Sequence, residues 1–294
     1  MCDFEVWPGP MEGVGRQEFV QAASALKLTE CWMTPFIRLT SNIPTLGKMV
    51  KGIRSYLDST LPVTVQLMGC DPDLLGQCGN MLMEKFPAVC GINLNCGCPS
   101  GRVVRHRAGG GMLMAPEKLA DFCSQIAAYL PKGALSVKLR SGFSDADDME
   151  IFLPALADSG AVSKIFFHYR TVAEFYSPSA LPFREERVSK AVKLCGKIPL
   201  IANGDITSVN EAKQLVAQSG CAGVMIARPW MRDPFLLRRF QEEVPDAEIG
   251  RERFFAALIE SGVGGGALIE TAKMLWGVES ARFKEIISKE KSRK

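Results

Sequence analysis

The sequence has no uninterrupted apolar run of the roughly 20 residues that a membrane-spanning helix needs. Its first residues, MCDFEVWPGP, carry an acid early and no apolar signal-peptide core. These two absences set aside the spanning and secreted classes and lead to the expectation of a cytoplasmic protein without a membrane partner. Histidine is nearly missing: His106 and His168 are the whole complement of 294 residues. There is no low-complexity tract and no nicotinamide-binding fingerprint. Neither sign of charge dominates, and the net charge of +3 permits nucleic-acid binding without arguing for it. The Cys-x-Cys of Cys96 and Cys98 lacks a second pair at zinc-like spacing, so no metal is expected. Ten cysteines without a secretory signal, many inside apolar segments, read as reduced thiols.

What is present is a rhythm. The apolar runs DFEVWPGPM, ECWMTPF, VTVQLMG, GINLNCG, LSVKLRSG, KIFFHYR, PLIANGD and AGVMIAR recur about one βαβ unit, roughly 30 residues, apart. Helical patterns lie between them, among them APEKLADFCSQIAAYL, DADDMEIFLPALADSG and SVNEAKQLVAQSG. The last starts at a capping Ser208 with Glu211 three residues on and stops at Gly220. Alternation of this kind implies a parallel sheet. Eight repeats fit an α/β fold of the (β/α)8 TIM-barrel type, with a doubly wound open sheet as the alternative. After Val244 the strand pattern stops, and ERFFAALIESGV, GALIETAKMLWG and SARFKEIISKEKSRK read as two or three amphipathic helices. The expected division is a barrel over 1–244 and a small all-helical domain over 245–294, ending in a frayed basic tail, KEKSRK.

Polar residues cluster at the exits of the apolar runs, where a barrel keeps its chemistry. PMEGV follows the first, and Gln66 lies near the end of the third. Asn95, Cys96 and Cys98 leave the fourth, Lys138 and Arg140 lie in the fifth, and His168 and Arg170 in the sixth. Asn203, Gly204 and Asp205 leave the seventh, and Arg228 the eighth. Polar groups in otherwise apolar strands are costly to bury unless partnered, and their repetition at one end points to a site. Cys31, Cys90, Cys195 and Cys221 read instead as packing residues. Cys98, in a Gly-Cys-Pro turn that needs no small hydrophobe, reads as functional. An inward Lys138 needs an anionic or electron-rich partner. The GGG at 109–111 reads either as a flexible turn or as a close backbone approach to a ligand. Arg102, Arg105 and Arg107 in RVVRHRAGGG form a solvated loop, or phosphate contacts if the ligand is RNA.

PMEGV, LNCGCPS with its GGG loop, VKLRSGF, HYRT followed by Tyr176, IANGDI and GVMIAR occur in the order and spacing of the tRNA-dihydrouridine synthases. The sequence resembles that family from about Pro8 to Arg239, and is most similar to its shorter bacterial C-type branch. The resemblance implies an FMN-binding barrel, a C-terminal helical domain that engages tRNA, and NADPH as electron donor. It further implies reduction of the C5–C6 bond of a uridine, expected in the D-loop and at position 16. Cys98 matches the cysteine that protonates C5, and Asn95 the asparagine near the uracil. Gln66, Lys138 and His168 match flavin-contacting positions, while Asn203, Gly204, Asp205, Ala227 and Arg228 match the ribityl and phosphate segment. Pro10 and Met11 would line the flavin, and Arg102, Arg105, Arg107, Arg170 and Tyr176 would meet the RNA. A monomer is expected, and Cys96 is expected to be dispensable. The sequence departs from the family at Pro229, which has no N–H to offer a phosphate, and at Tyr169, where glycine is common. A bulky Tyr169 would either crowd the pocket or face outward. Two other readings stay open on sequence: a dihydroorotate dehydrogenase-like flavin enzyme, and an RNA-binding relative with lost chemistry. A ribosomal RNA uridine is a further candidate substrate.

Overall fold

The protein is represented by a computed structural model that describes residues 3–11, 13 and 16–291, the last without its side chain. Glu12 and Val14 of PMEGV, and residues 292–294 of the basic tail, lie outside the described residues. Each of the eight apolar runs contains a strand: β1 (Glu5–Pro8), β2 (Trp32–Met33), β3 (Val63–Met68), β4 (Val89–Cys96), β5 (Leu135–Arg140), β6 (Lys164–His168), β7 (Leu200–Asn203) and β8 (Gly223–Ile226). All pair in parallel, each with its sequence neighbour from β2 round to β8. A two-residue strand at Ile37–Arg38 adds to the end of β3.

The first strand then pairs with the last, from Glu5 opposite Gly223 to Pro8 opposite Ile226. The sheet therefore closes, leaving only the β1–β2 seam without a ladder among the described residues. That closure distinguishes a (β/α)8 barrel from the open sheet. Strands covered by helices outside and side chains inside read as continuous apolar runs, and all six residues of β3 are buried.

The strand period of two divides each run between helix shell and barrel interior. Phe166 and Ile201 join Met33 and Met225 in an apolar layer inside the barrel. One pleat further along, His168 follows Phe166 and Asn203 follows Ile201. The interior thus changes from apolar to polar toward the strands' C-terminal ends. At the opposite rim Lys164 Nζ lies 2.5 Å from Glu5 Oε2, which also accepts from Trp7 Nε1 at 2.6 Å.

The helices begin and end where their sequences ask. Ser208 accepts from the Glu211 amide at 3.2 Å to start the helix Val209–Ser219, and Gly220 ends it at φ +72°. Glu211 reaches back one residue beyond the cap, accepting from the Thr207 amide at 2.8 Å. The C-terminal segment forms three helices, Ala247–Glu260, Gly265–Trp276 and Ala281–Lys291. Asp246 opens the first by accepting from the Glu248 and Ile249 amides. Phe254 meets Phe19 edge-on at 5.3 Å, and Phe19 meets Trp230 at 5.6 Å. One apolar core runs from the barrel shell through Phe254, Leu268, Leu275 and Ile286. The helical segment extends the barrel's core instead of building its own.

Among the cysteines expected to be packing residues, Cys195 and Cys221 are buried, but Cys90 is exposed and Cys31 half-buried. Cys90 is the second residue of β4, at the rim where the strand is entered, and every later residue of that strand is covered.

Candidate active site

The C-terminal ends of the strands surround a cavity of about 1110 Å³. Pro10, Met11, Gln66, Asn95, Cys98, Lys138, His168, Asn203, Gly204, Asp205, Ala227, Arg228 and Tyr176 all line it. Residues spread over more than 200 positions of sequence thus converge because each sits at the same end of a parallel strand.

Cys98 is half-buried and sits on the turn that leaves β4. Asn95 shapes that turn: its Oδ1 accepts from the Gly97 amide at 3.1 Å and the Cys98 amide at 3.0 Å. Its Nδ2 donates to Gln66 Oε1 at 2.9 Å, leaving a second N–H for the cavity. The GGG segment is neither a flexible turn nor a ligand-facing backbone. It is buried under the Cys98 turn, with the Gly110 amide donating to Cys98 O at 3.0 Å. A Cβ on Gly110 would meet Cys98 O at 2.9 Å and Val172 Cγ2 at 2.7 Å, so the close packing requires glycine there. Cys96 points the other way, fully buried in the helix-facing core, where burial first and the neighbouring Cys123 second push its thiol up.

Three basic side chains face the cavity from β5 and β6 or sit just beneath it. Burial, and then the nearby Arg140 charge, brings Lys138 down to about 7. No carboxylate pairs with it among the described residues. His168 is pushed well below its ordinary value by burial and by the Arg140 and Lys138 charges, so it is neutral at pH 7. Its Nδ1 accepts from the Arg170 amide at 3.3 Å, which puts the proton on Nε2. Arg140 is a latch whose partners the sequence did not reveal. It donates through Nε to Gly97 O at 2.9 Å, and through Nη1 to Thr171 O at 2.8 Å and Phe175 O at 2.7 Å. One buried guanidinium thus joins the Cys98 turn to the loop after β6.

Tyr169 neither crowds the cavity nor faces solvent. It is fully buried behind the lining, and its hydroxyl donates to Asp205 Oδ2 at 2.6 Å. Burial alone would raise the Asp205 carboxyl, but the Tyr169 hydroxyl and the Arg170 guanidinium outweigh it and hold it below the usual range. Arg170, expected on the RNA, is 2% exposed and does not line the cavity. Its Nη1 lies 2.5 Å from Asp205 Oδ2 and its Nε donates to Ser177 O at 2.8 Å. Because the strand alternates only as far as His168, the next residues leave the barrel and Arg170 turns inward to a structural role. Arg102, Arg105 and Arg107 are exposed on the turn following Cys98 and outside the cavity. Tyr176 is 44% exposed at the mouth, with Arg140 at 5.3 Å and Arg228 at 4.6 Å from its ring centre.

The C-terminal helices supply a wall of the same cavity, through Glu248, Arg251, Lys273, Trp276 and Ser280. Trp276 Nε1 donates to Glu248 Oε1 at 2.9 Å, and Arg251 Nη1 to Arg232 O at 2.8 Å. No sequence signal marked these residues, because only the packing of the helices on the barrel decides which face meets the mouth.

Likeness to known proteins gives this cavity its family. The family model described as "Dihydrouridine synthase (Dus)" matches residues 8–261. The chain belongs to the dihydrouridine synthase family. Among its relatives, the tRNA-dihydrouridine(16) synthase of Ralstonia nicotianae is 32% identical over 241 residues, covering 80% of this chain and 72% of that protein. The protein of the same name from Cupriavidus necator is 37% identical over 63% of this chain and 56% of its own length. The probable tRNA-dihydrouridine synthase of Rickettsia typhi is 34% identical over 61% of this chain and 53% of its own. The chain thus spans less than two thirds of the length of two of these three relatives. Among solved structures, TcOYE with pHBA superposes with a TM-score of 0.56 at 9% identity, covering 83% of this chain and 87% of that one. A variant of NCR from Zymomonas mobilis gives 0.53 at 15% identity, over 82% and 87%. Those two likenesses show the barrel fold alone. A match through residue 261 sets aside the dihydroorotate dehydrogenase-like alternative.

The residues around this barrel-mouth cavity fit a flavin. The donor set is suited to an electron-rich ring: Lys138, with no carboxylate partner among the described residues, the Nε2–H of His168, and the second N–H of Asn95. Gly204 has φ +115°, and a Cβ there would meet Tyr169 Cε1 at 2.8 Å and His168 Nε2 at 3.0 Å. Its backbone therefore lies directly on the His168 ring, which lines the cavity, and on the Tyr169 ring behind it.

Proposed function

We propose that this chain reduces the C5–C6 double bond of a uridine in tRNA to 5,6-dihydrouridine, in the D-loop and at position 16. FMN is the resident flavin and NADPH the electron donor. The reading treats the chain as a cytoplasmic monomer; no helix among the described residues is long and apolar enough to cross a membrane. Position 16 is supported by the names of the Ralstonia and Cupriavidus relatives.

The observation that carries the reading is the Cys98 thiol, which lines the same cavity as Lys138 and His168 and is held there by Asn95. When bound, reduced FMN supplies a hydride to C6 of the uracil. The carbanion-like C5 then needs a proton from the opposite face, and Cys98 Sγ holds it. A thiol suits that task because a positioned S–H can donate its proton to the carbon as general acid. The remaining N–H of Asn95 donates to the uracil edge and sets its depth in the cavity. Lys138 offers positive charge to the electron-rich isoalloxazine, and His168 donates through Nε2. Asn203 donates to Met225 O at 2.8 Å and keeps the exits of β7 and β8 together, where Gly204, Asp205, Ala227 and Arg228 receive the ribityl chain and phosphate. Pro229 contributes no amide there, so the Arg228 side chain carries more of the phosphate. Tyr176, backed by Arg140 and Arg228, meets a base at the mouth, and Arg102, Arg105 and Arg107 meet the RNA backbone outside it.

The test is turnover of unmodified tRNA transcripts by the purified protein with FMN and NADPH, read as dihydrouridine by nucleoside mass spectrometry. Product at position 16 that is lost in Cys98→Ala supports the reading. A yellow, NADPH-reducible protein that leaves tRNA unchanged but converts ribosomal RNA overturns the substrate. A colourless protein that only binds tRNA overturns the chemistry.

A further inference from the structure

A buried line of side-chain hydrogen bonds crosses the barrel interior beneath the reacting thiol. Asn95 Nδ2 donates to Gln66 Oε1 at 2.9 Å, and Gln66 Nε2 donates to Asn93 Oδ1 at 2.8 Å. Asn93 Nδ2 donates to Ser136 Oγ at 2.9 Å, and Ser136 Oγ donates to Ile92 O at 3.2 Å. Gln66 and Asn93 are fully buried, and Asn95 and Ser136 are each 8% exposed.

The direction of this line is fixed from both ends by backbone groups that cannot reverse. The Gly97 and Cys98 amides can only donate, so Asn95 must present its oxygen to them and its NH2 to Gln66. Gln66 must then accept with its oxygen and donate with its nitrogen, which obliges Asn93 to accept in turn. At the far end Ile92 O can only accept, so the Ser136 hydroxyl donates to it and accepts from Asn93. A carboxamide's two ends are otherwise nearly interchangeable; here the chain admits one assignment for all three amides. Strand register makes the line possible, since Gln66 lies opposite Asn93 in the β3–β4 ladder and Asn93 opposite Ser136 in the β4–β5 ladder.

We infer that Asn93 and Ser136 are positioning residues, which hold the Gln66 and Asn95 carboxamides in one orientation and thereby fix the Cys98 turn. Neither residue lines the cavity. Without the Asn93 acceptor, Gln66 Nε2 keeps only the weak Met33 Sδ acceptor at 3.7 Å, and its orientation is held from the Asn95 side alone. A reversed Gln66 would set an NH2 against the Asn95 NH2 and weaken the hold on the Cys98 amide. The inference rests on the dihydrouridine synthase reading for its effect on turnover, but not for its effect on the thiol.

The experiment compares wild type, Asn93→Leu, Ser136→Ala and Ser136→Thr, each confirmed folded by thermal melting. Two quantities are measured: kcat and KM on unmodified tRNA, and the rate of Cys98 alkylation by iodoacetamide, resolved from the other cysteines by peptide mass spectrometry. A misplacement of about 1 Å at a reacting group can cost on the order of 10²-fold. Asn93→Leu is therefore expected to lower kcat by about that factor, with KM for tRNA unchanged. Ser136→Ala should lower kcat by less, and Ser136→Thr, which keeps the hydroxyl, should restore it. Alkylation of Cys98 should be faster in the Leu and Ala variants, because the turn is released, and unchanged in the Thr variant. Wild-type kcat and alkylation in folded Ser136→Ala and Asn93→Leu would overturn the inference. An inactive wild type would overturn the functional reading alone, and the alkylation rates would still decide the inference.

Discussion

Tyr169 and Asp205 are joined by a 2.6 Å hydrogen bond that ties the loop after β6 to the loop after β7. Asp205 also takes Arg170 at 2.5 Å and Arg228 at 3.4 Å, and it stands at φ +50°, a left-handed position unusual for a side chain with a Cβ. Tyr169→Phe removes the hydroxyl and leaves the carboxylate with fewer donors. The expected loss is about 1 kcal/mol of stability, seen as a lower Tm, together with weaker FMN binding in a fluorescence titration. Unchanged Tm and FMN affinity would mean that the ion pairs hold the Asp205 loop alone.

This pair also shows what the sequence could convey. HYRT marked a strand exit, and the eight runs marked a barrel, because a parallel strand buried on both faces must be apolar along its whole length. The polar residues at the strand ends were legible for the same reason, since each interrupts such a run. What followed the strands was not. Beyond His168 the alternation ends, so nothing in the sequence separated Arg170, which is buried against Asp205, from Tyr176, which faces the mouth. Arg140 looked like a site residue of unspecified role because its partners, Gly97, Thr171 and Phe175, are backbone carbonyls that only folding brings near. The C-terminal wall was invisible because Lys273 and Trp276 gain meaning from the face on which their helix packs.

The two cysteines of LNCGCPS are expected to separate cleanly. Cys98→Ala should bind flavin normally and lose dihydrouridine formation by about 10²–10⁴-fold, the usual contribution of a positioned general acid. Cys96→Ala should keep turnover and melt at a lower temperature, because its thiol is buried in the helix-facing core. Comparable losses of turnover in both would reinstate a redox pair.

Lys138 gives the flavin-free protein a characteristic pH dependence. Its folded-state value of about 7 lies below the ordinary 10.5, so between those two values the unfolded chain binds more protons than the folded one. Stability must therefore rise with pH from about 7 toward 10.5, and the destabilising effect of Lys138 is fully present below 7. His168, also depressed, adds a second loss as pH falls below its ordinary 6.5. Lys138→Met should remove the alkaline part. Urea denaturation of both proteins at pH 7 and pH 9 should show wild type gaining on the variant by up to a few kcal/mol. Parallel pH curves would place Lys138 in water.

Arg140 is expected to matter for both stability and turnover. Replacing it with Met strands the carbonyls of Gly97, Thr171 and Phe175, each a buried acceptor worth about 1–3 kcal/mol when left unsatisfied. Lysine keeps the charge but cannot reproduce the fork that reaches both loops, so Arg140→Lys should recover little. Thermal melting and tRNA turnover should fall together in both variants. A stable, active Arg140→Lys would show that charge, and not geometry, holds the Cys98 turn to the loop after β6.

Arg228 and the trio Arg102, Arg105 and Arg107 should separate cavity contacts from backbone contacts. Arg228 is 64% exposed by side chain, yet it stands 4.6 Å from the Tyr176 ring and beside Asp205 at the cavity mouth. Arg228→Ala should weaken FMN retention as well as tRNA binding, since its guanidinium serves the phosphate that Pro229 cannot. Alanine at Arg102, Arg105 and Arg107 together should leave FMN untouched. It should weaken tRNA binding and reduce the slope of log K against log salt by up to about 3, one for each phosphate charge no longer neutralised. Filter binding over a salt series, with flavin absorbance read on the same samples, distinguishes the two. If the triple variant keeps the wild-type slope, the RNA backbone runs along the C-terminal wall of Arg251 and Lys273 instead, and substitutions there should then produce the missing change.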